Sequence, residues 1–267
     1  MLLKTVTIIL ACSVLVLGSP SRLPGKSELS RSGNRIVGGT VVKKHEIPWQ
    51  VSIKFYEGLH YCGGSIISKN YIITAAHVTE YNGYPPSYFQ VVAGTEEWAT
   101  PGTIHNVTEI IVHELFEPYT YENDIAIWKV DPPFKFAGGT QPVTLPAQGA
   151  ESVPEIVMTV SGWGSTAVGG GGQASDVLLK GDLFVVSKEE CNRNYEWSGG
   201  IAPNQMCAGV PMGGIDACEG DDGGPLFFNG ELRGLVSWGR GCGTIYYPGV
   251  YTEVSAYRNW INQTVGV

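Results

Sequence analysis

The chain has little positive charge. Over 267 residues it carries 17 Lys and Arg against 25 Asp and Glu, a formal net charge of −8. Residues 1–35 hold five of the cations and one of the anions, so 12 cations and 24 anions remain beyond them, a net charge of −12. A surface this acidic repels nucleic acid and anionic membranes and favours cationic partners. We therefore expect protein partners, and neither nucleic acid nor membrane.

The sequence also lacks the spacing of a metal site. Its six cysteines include no Cys-x-x-Cys pair, and its five histidines form no cluster. Zinc sites are built from such pairs and clusters. We predict no metal and no cofactor.

Long apolar runs are missing after the first 18 residues. Residues 1–18 carry one cation, Lys4, then an apolar run over about 6–17 and then small residues, the pattern of a secretory signal peptide. No later run approaches the ~18 apolar residues that a membrane-spanning helix needs. We predict a signal peptide over 1–18 and a soluble, secreted, extracellular protein.

Residues 19–35 are polar and broken by prolines, and they end at Arg35 before an abrupt change to Ile36-Val37-Gly38-Gly39. So polar a segment buries too little apolar surface to order itself. We predict a removable pro-segment over 19–35. Residues 36–267 are enough for one large domain or two compact halves.

Short segments rich in Val, Ile, Tyr and Phe recur after residue 36, with Gly, Pro and Asn between them. Strands at this spacing predict an all-β sandwich or barrel. Residues 132–154 look like a connector between the halves, the four-glycine run 169–172 like a mobile surface linker, and 254–265 like a short terminal helix. Predicted strands include 50–55, 71–74, 89–93, 104–113, 125–130, 156–161, 178–186 and 234–238, with a hairpin of 225–228 and 231–234 around Asn229-Gly230.

Six short motifs together resemble the chymotrypsin-like serine proteases across nearly all of residues 36–267. Each motif alone is a weak signal, but their order along the chain makes the resemblance specific. In that order they are Ile36-Val37-Gly38-Gly39, Thr74-Ala75-Ala76-His77, Asn123-Asp124-Ile125-Ala126, Ser161-Gly162-Trp163-Gly164, Asp216-Ala217-Cys218-Glu219-Gly220-Asp221-Asp222-Gly223-Gly224-Pro225 and Ser237-Trp238-Gly239.

The resemblance implies two six-stranded antiparallel β-barrels with catalytic groups in the cleft between them. His77 then matches the general base, Asp124 the carboxylate that orients it, and Asp222 the position of the nucleophile. The chain order of histidine, aspartate and nucleophile is that of this family. This sequence departs from the family pattern at the nucleophile, where a carboxylate replaces the serine hydroxyl.

That replacement removes the chemistry of peptide cleavage. Attack on the scissile carbonyl needs a hydroxyl that gives its proton to the histidine, and Asp222 has none. Its charge also lies beside the backbone amides of Gly220 and Asp222, which would otherwise stabilise the oxyanion. Two carboxylates flanking His77 favour the charged imidazolium. We predict a degenerate triad and no proteolysis.

The resemblance also implies a retained activation junction. A trypsin-like enzyme would cut after Arg35, and the new α-amino group of Ile36 would pair with Asp221. In the family this buried ion pair organises the oxyanion loop and the specificity pocket.

Asp216 matches the base of a pocket for Arg or Lys side chains, and Gly239 and Gly249 would leave its walls open. The residues expected near the entrance, where they would narrow it, are Glu219, Tyr246 and Tyr247.

Five cysteines remain once Cys12 leaves with the signal peptide, which implies disulfides and at least one free or intermolecular thiol. The resemblance pairs Cys191 with Cys207 and Cys218 with Cys242. It leaves Cys62 as a free, buried thiol, because Val78 replaces its usual partner. The loop that carries His77 therefore lacks a disulfide that would stabilise the fold by about 3 kcal/mol.

Two Asn-x-Thr motifs, at Asn106 and Asn262, are acceptors for N-glycosylation in a secreted protein. Both positions are candidate glycosylation sites, and the motifs do not determine whether glycans occupy them.

The leading hypothesis is a secreted, monomeric, proteolytically inactive serine protease homologue that acts by binding. It looks like the inactivated protease paralogues of the scabies mite, which implies release into the mite gut and interference with host complement proteins through surface contacts. Two alternatives stay open. One is a weakly active trypsin-like endopeptidase cleaving after Arg or Lys, and the other is a decoy that holds substrates or inhibitors in the retained pocket.

Overall fold

The computed structural model of the chain describes residues 36–55, 58–80, 83–100 and 102–267. The predicted signal peptide and pro-segment lie outside these residues. Within them, no helix combines the length and the apolar character needed to cross a membrane. The described residues contain thirteen strands: β1 (Thr40–Val41), β2 (Gln50–Phe55), β3 (Leu59–Ile66), β4 (Tyr71–Thr74), β5 (Phe89–Ala93), β6 (Thr103–Val112), β7 (Ala126–Asp131), β8 (Val157–Gly162), β9 (Leu179–Val186), β10 (Gln205–Gly209), β11 (Pro225–Phe228), β12 (Glu231–Trp238) and β13 (Gly249–Glu253).

The first barrel closes in the order β2-β3-β4-β7-β6-β5, with antiparallel neighbours throughout. Alternate residues of each strand point inward, so Val51 and Ile53 of β2 are fully buried. They pack with Phe89, Val91 and Trp128 in one apolar core.

The second barrel closes in the order β8-β9-β10-β13-β12-β11, because β8 pairs with both β9 and β11. Strand β1 adds to its edge through β9. Ile36 lies in its core with Val160, Leu183 and Tyr251.

Three α-helices occur among the described residues: α1 (His77–Glu80), α2 (Lys188–Asn194) and α3 (Arg258–Val265). Helix α3 buries Ile261 against Leu232 and Val254 and ends at Gly266, whose φ of 71° is left-handed. The predicted all-β fold of two six-stranded barrels with a short C-terminal helix is confirmed.

The two barrels meet closely where β3 passes the loop that precedes β11. A Cβ on Gly63 would lie 2.9 Å from the Gly224 Cα, and the Gly63 amide donates to the Asp222 carbonyl at 2.9 Å. Ser161 Oγ donates to Gln50 Oε1 across the same boundary at 2.7 Å. Only glycine permits this approach, which holds the Asp222 loop against the first barrel.

Candidate active site

Asp124 lies fully buried just before β7 and is surrounded by donors. Its Oδ1 accepts the His77 amide at 2.8 Å, and its Oδ2 accepts His77 Nδ1 at 2.8 Å and Ser237 Oγ at 2.6 Å. Thr252 Oγ1 donates to its backbone carbonyl at 2.7 Å. Ser237 belongs to one of the six sequence motifs, but its role is visible only in the structure, and no sequence pattern marks Thr252.

His77 begins α1 and lies between two carboxylates. Nδ1 bonds Asp124, and Nε2 lies 3.5 Å from Asp222 Oδ1. Burial lowers the pKa of the imidazole, but the charge and hydrogen bond of Asp124, with those of Asp222, outweigh burial and raise the pKa to about 10. The arrangement suits an imidazolium held between two anions, and a protonated ring accepts no proton from a nucleophile.

The Asp222 carboxylate contacts both His77 and Gly220 of the oxyanion loop. Its Oδ2 accepts the Gly220 amide at 3.2 Å, and 34% of the side chain is exposed. One donor that would stabilise an oxyanion is thus already bound to the Asp222 side chain. The next residue, Gly223, has a φ of 70°, and a Cβ there would lie 1.9 Å from Thr74 Oγ1.

His60 is a second histidine of the site, which the sequence analysis did not identify. Nε2 bonds the Gly220 carbonyl at 2.9 Å, and Nδ1 bonds Ser52 Oγ at 2.8 Å. Burial lowers the pKa of His60 to about 4, so the ring is neutral. Because a carbonyl only accepts, Nε2 carries the proton and Nδ1 accepts from the serine hydroxyl. His60 therefore fixes the carbonyl of the oxyanion loop, and no motif marks it.

Asp221 is fully buried beneath the same loop. Its carboxylate accepts the Gly164 amide at 2.7 Å and the Cys218 amide at 3.0 Å. Burial raises its pKa to about 7 against these two hydrogen bonds. Among the described residues no cationic side chain pairs with it. Ile36, whose α-amino group was predicted as its partner, is buried in the core of the same barrel.

A cavity of about 140 Å³ opens beside Asp222, with Asp216 in its wall. Asp216 is 4% exposed, accepts the Ala217 and Gly243 amides at 2.9 Å each, and has its pKa raised by burial to about 7. A Cβ on Gly249 would lie 3.0 Å from Asp216 Oδ1. The lining also includes Gly239, so the predicted pocket residues come together.

The residues expected to narrow the entrance divide between two cavities. Glu219 lines the cavity beside Asp222, whereas Tyr246 and Tyr247 line a neighbouring cavity of about 700 Å³. The expectation that the two tyrosines constrict the first cavity is therefore wrong. Neither tyrosine lines the cavity beside Asp222, and Tyr246 is 78% exposed.

The structure joins Cys191 to Cys207 and Cys218 to Cys242. Cys62 is a buried free thiol whose pKa burial raises, and Val78 shares its core cluster. Cys218 and Cys242 also approach Glu219, but disulfide sulfurs offer no thiolate to a metal. The predicted glycosylation residues, Asn106 on β6 and Asn262 on α3, are both exposed.

Comparison with known proteins agrees with this architecture. The sequence profile of the family described as Trypsin matches residues 36–261, which include both barrels and every site residue from Ile36 onward. Trypsin 5G1 of Aedes aegypti is 35% identical to this chain over 237 residues, covering 89% of the chain and 87% of that protein. The chain therefore belongs to the trypsin family of chymotrypsin-like serine proteases.

Proposed function

We propose that this trypsin-family protein is secreted, does not cleave peptides, and acts by binding. The observation that carries the proposal is the Asp222 carboxylate, 3.5 Å from His77 Nε2 and bonded to the Gly220 amide. A carboxylate is a weak nucleophile toward an amide, and the anhydride it would form is less stable than an ester. Its fixed charge also repels the developing oxyanion.

The expected residual activity of the cleft is low. Loss of a triad member leaves a residual acceleration of roughly 10³- to 10⁴-fold over water, from the oxyanion site and binding. Here the Gly220 amide already donates to Asp222, so we expect a residual acceleration smaller than this. The alternative of a weakly active endopeptidase requires Asp222 to attack, and neither its charge nor its contacts favour attack.

The direct test replaces Asp222 with serine in the protein that begins at Ile36. We expect Asp222→Ser to hydrolyse Arg and Lys esters and amides at rates at least 100-fold above the wild type, because the hydroxyl returns and the anion leaves. Asp222→Asn is the matched control, since it removes the charge without supplying a hydroxyl. Turnover by the wild type, with an acylated intermediate trapped on the protein, would refute the proposal.

A decoy function is a second candidate, and the cavity at Asp216 favours it. The buried carboxylate has no cationic partner among the described residues, and burial raises its pKa to about 7 against two backbone hydrogen bonds. An Arg or Lys side chain of a substrate or inhibitor would supply the missing charge. Binding in this mode is competed by benzamidine.

The resemblance to the mite paralogues suggests host complement proteins as partners, through surface contacts outside the cleft. If binding uses surface contacts outside the cleft, purified complement components should bind the wild type equally well with and without benzamidine. Loss of their binding on adding benzamidine would instead assign it to the cavity.

A further inference from the structure

We propose that the cavity selects ligands with two positive groups, one bound at Asp216 and the other at a mouth site formed by Glu219 and Asp222. This inference rests on the proposed binding function. All three carboxylates line the one cavity of about 140 Å³. They differ in depth, because Asp216 is buried, Asp222 is partly exposed and Glu219 is exposed.

The negative charge of the cavity is largely uncompensated. Its lining residues include no Lys, Arg or His. Asp222 is paired with His77, but no described cation is paired with Asp216 or Glu219. A ligand with a single positive group at Asp216 therefore leaves net negative charge at the mouth.

The cation nearest in sequence is held elsewhere. Arg240 lies between two lining glycines, yet its guanidinium is 5.0 Å from the Trp197 ring centroid and 4.7 Å from that of Tyr247. It also donates to the Tyr247 hydroxyl at 3.0 Å. These cation–π and hydrogen-bond contacts keep Arg240 from neutralising the mouth.

The glycine run 169–172 positions Glu219, and it is not the plain linker that the sequence suggested. A Cβ on Gly170 would lie 2.4 Å from Glu219 Oε1. The Ser165 amide donates to the Glu219 carbonyl at 2.7 Å, and the Gly169 amide donates to the Cys242 carbonyl at 2.8 Å. The loop thus packs beside one carboxylate oxygen, and the other, Oε2, lies 2.8 Å from Cys218 Sγ in the lining of the cavity.

The chemistry of the ligand follows from these positions. A guanidinium or ammonium group enters toward Asp216, and a second ammonium a few bonds away meets Glu219 and Asp222. A ligand that instead carries a carboxylate at the second position, such as N-acetylarginine, meets two like charges and binds weakly. The preferred partners are therefore dications, including peptide segments with a basic side chain beside a second positive group.

Agmatine and n-butylguanidine provide a matched pair of probes, since they share a guanidinium and an alkyl chain and only agmatine has a terminal ammonium. Their affinities are measured by displacement of p-aminobenzamidine from the full secreted protein at low ionic strength. Partly exposed ion pairs each give about two- to fivefold in affinity, so we expect agmatine to bind about fivefold tighter.

Three variants test the assignment. Glu219→Gln should reduce the agmatine preference to less than about twofold, because it weakens agmatine binding more than butylguanidine binding. Gly170→Ala should also reduce the preference, by displacing Glu219. Glu109→Gln removes an exposed charge from the first barrel and should change nothing. Equal affinity of the two probes for the wild type, a preference unaffected by Glu219→Gln, or no binding of either probe overturns the inference. A hydrolysis assay on the same wild-type sample tests the proposed function separately.

Discussion

At the scale of single residues, a carboxylate at position 222 changes the histidine as well as the nucleophile. In a working triad the imidazole is neutral and accepts a proton from the serine. Here Asp222 adds a second anion to the one that Asp124 supplies, and both favour the protonated ring. We therefore expect the base and the nucleophile to be lost together.

The charge state of His77 is directly measurable. An NMR titration of its ring should give a pKa of about 10, and Asp222→Asn should lower that pKa by about one unit, because one of two anions is removed. Since this pKa lies above its unfolded value of about 6.5, the ion pair stabilises the fold fully below that pH and is lost as pH rises through 10. His60, with a pKa near 4, is the internal control. A neutral His77 at pH 7 would contradict the ion pair.

At the scale of strands and helices, periodicity alone predicts much of the fold. The predicted segments 50–55, 71–74 and 89–93 coincide with β2, β4 and β5. No predicted segment corresponds to β3 or β13, which contain Gly63 and Gly249. Those glycines are set by contacts distant in sequence, with Gly224 and with the Asp216 carboxylate. Local pattern thus finds β4, β11 and β12 beside the site but misses two strands whose glycines are set by distant contacts.

The same limit applies to the site itself. His77, Asp124 and Asp222 were found through motifs, but His60 acts through a carbonyl 160 residues away. The position of Glu219 depends on packing against Gly170, which no local pattern encodes.

The loop that carries His77 offers a prediction at this scale. Val78 and Cys62 are 3% and 1% exposed and belong to the same core. We expect Val78→Cys to form a disulfide with Cys62 and to raise the free energy of unfolding by about 3 kcal/mol, since it closes a loop of about 15 residues. Thermal unfolding measures the gain in stability, and a thiol titration in denaturant measures formation of the disulfide.

The double variant Cys62→Ser, Val78→Cys is the control, because it keeps the new side chain without a partner. If the thiol titration of Val78→Cys finds two free thiols in denaturant, the two positions are not placed to bond.

At the scale of the whole molecule, the segment that begins at Ile36 and the loop of residues 216–222, called the binding loop below, are joined. Ile36 packs in the core of the second barrel, and the Val37 carbonyl accepts the Asp216 amide at 3.3 Å. Asp216 and Asp221 are both buried with their pKa values raised to about 7. The loop therefore contains two carboxyl groups for which ionisation is costly until a cation arrives.

This cost predicts how stability depends on pH before and after cleavage at Arg35. The folded-state pKa values of about 7 exceed the usual 3.8, so the folded state binds more protons and stability falls as pH rises from about 4 to 7. In the uncleaved protein we expect the free energy of unfolding, measured with denaturant, to fall by about 3 kcal/mol or more between pH 5 and 8. In the protein that begins at Ile36 we expect the new ammonium to pair with Asp221 and lower its pKa, so about half of that loss should disappear.

Asp221→Asn separates this effect from the other titrating groups. It removes one buried acid, so the uncleaved variant should lose less stability between pH 5 and 8 than the uncleaved wild type, and cleavage should no longer change the slope. The contribution of His77 also falls above pH 6.5, but it is common to all four proteins and cancels in the comparison. Equal slopes for cleaved and uncleaved wild type would mean that Ile36 does not pair with Asp221, and that the activation junction no longer controls the binding loop.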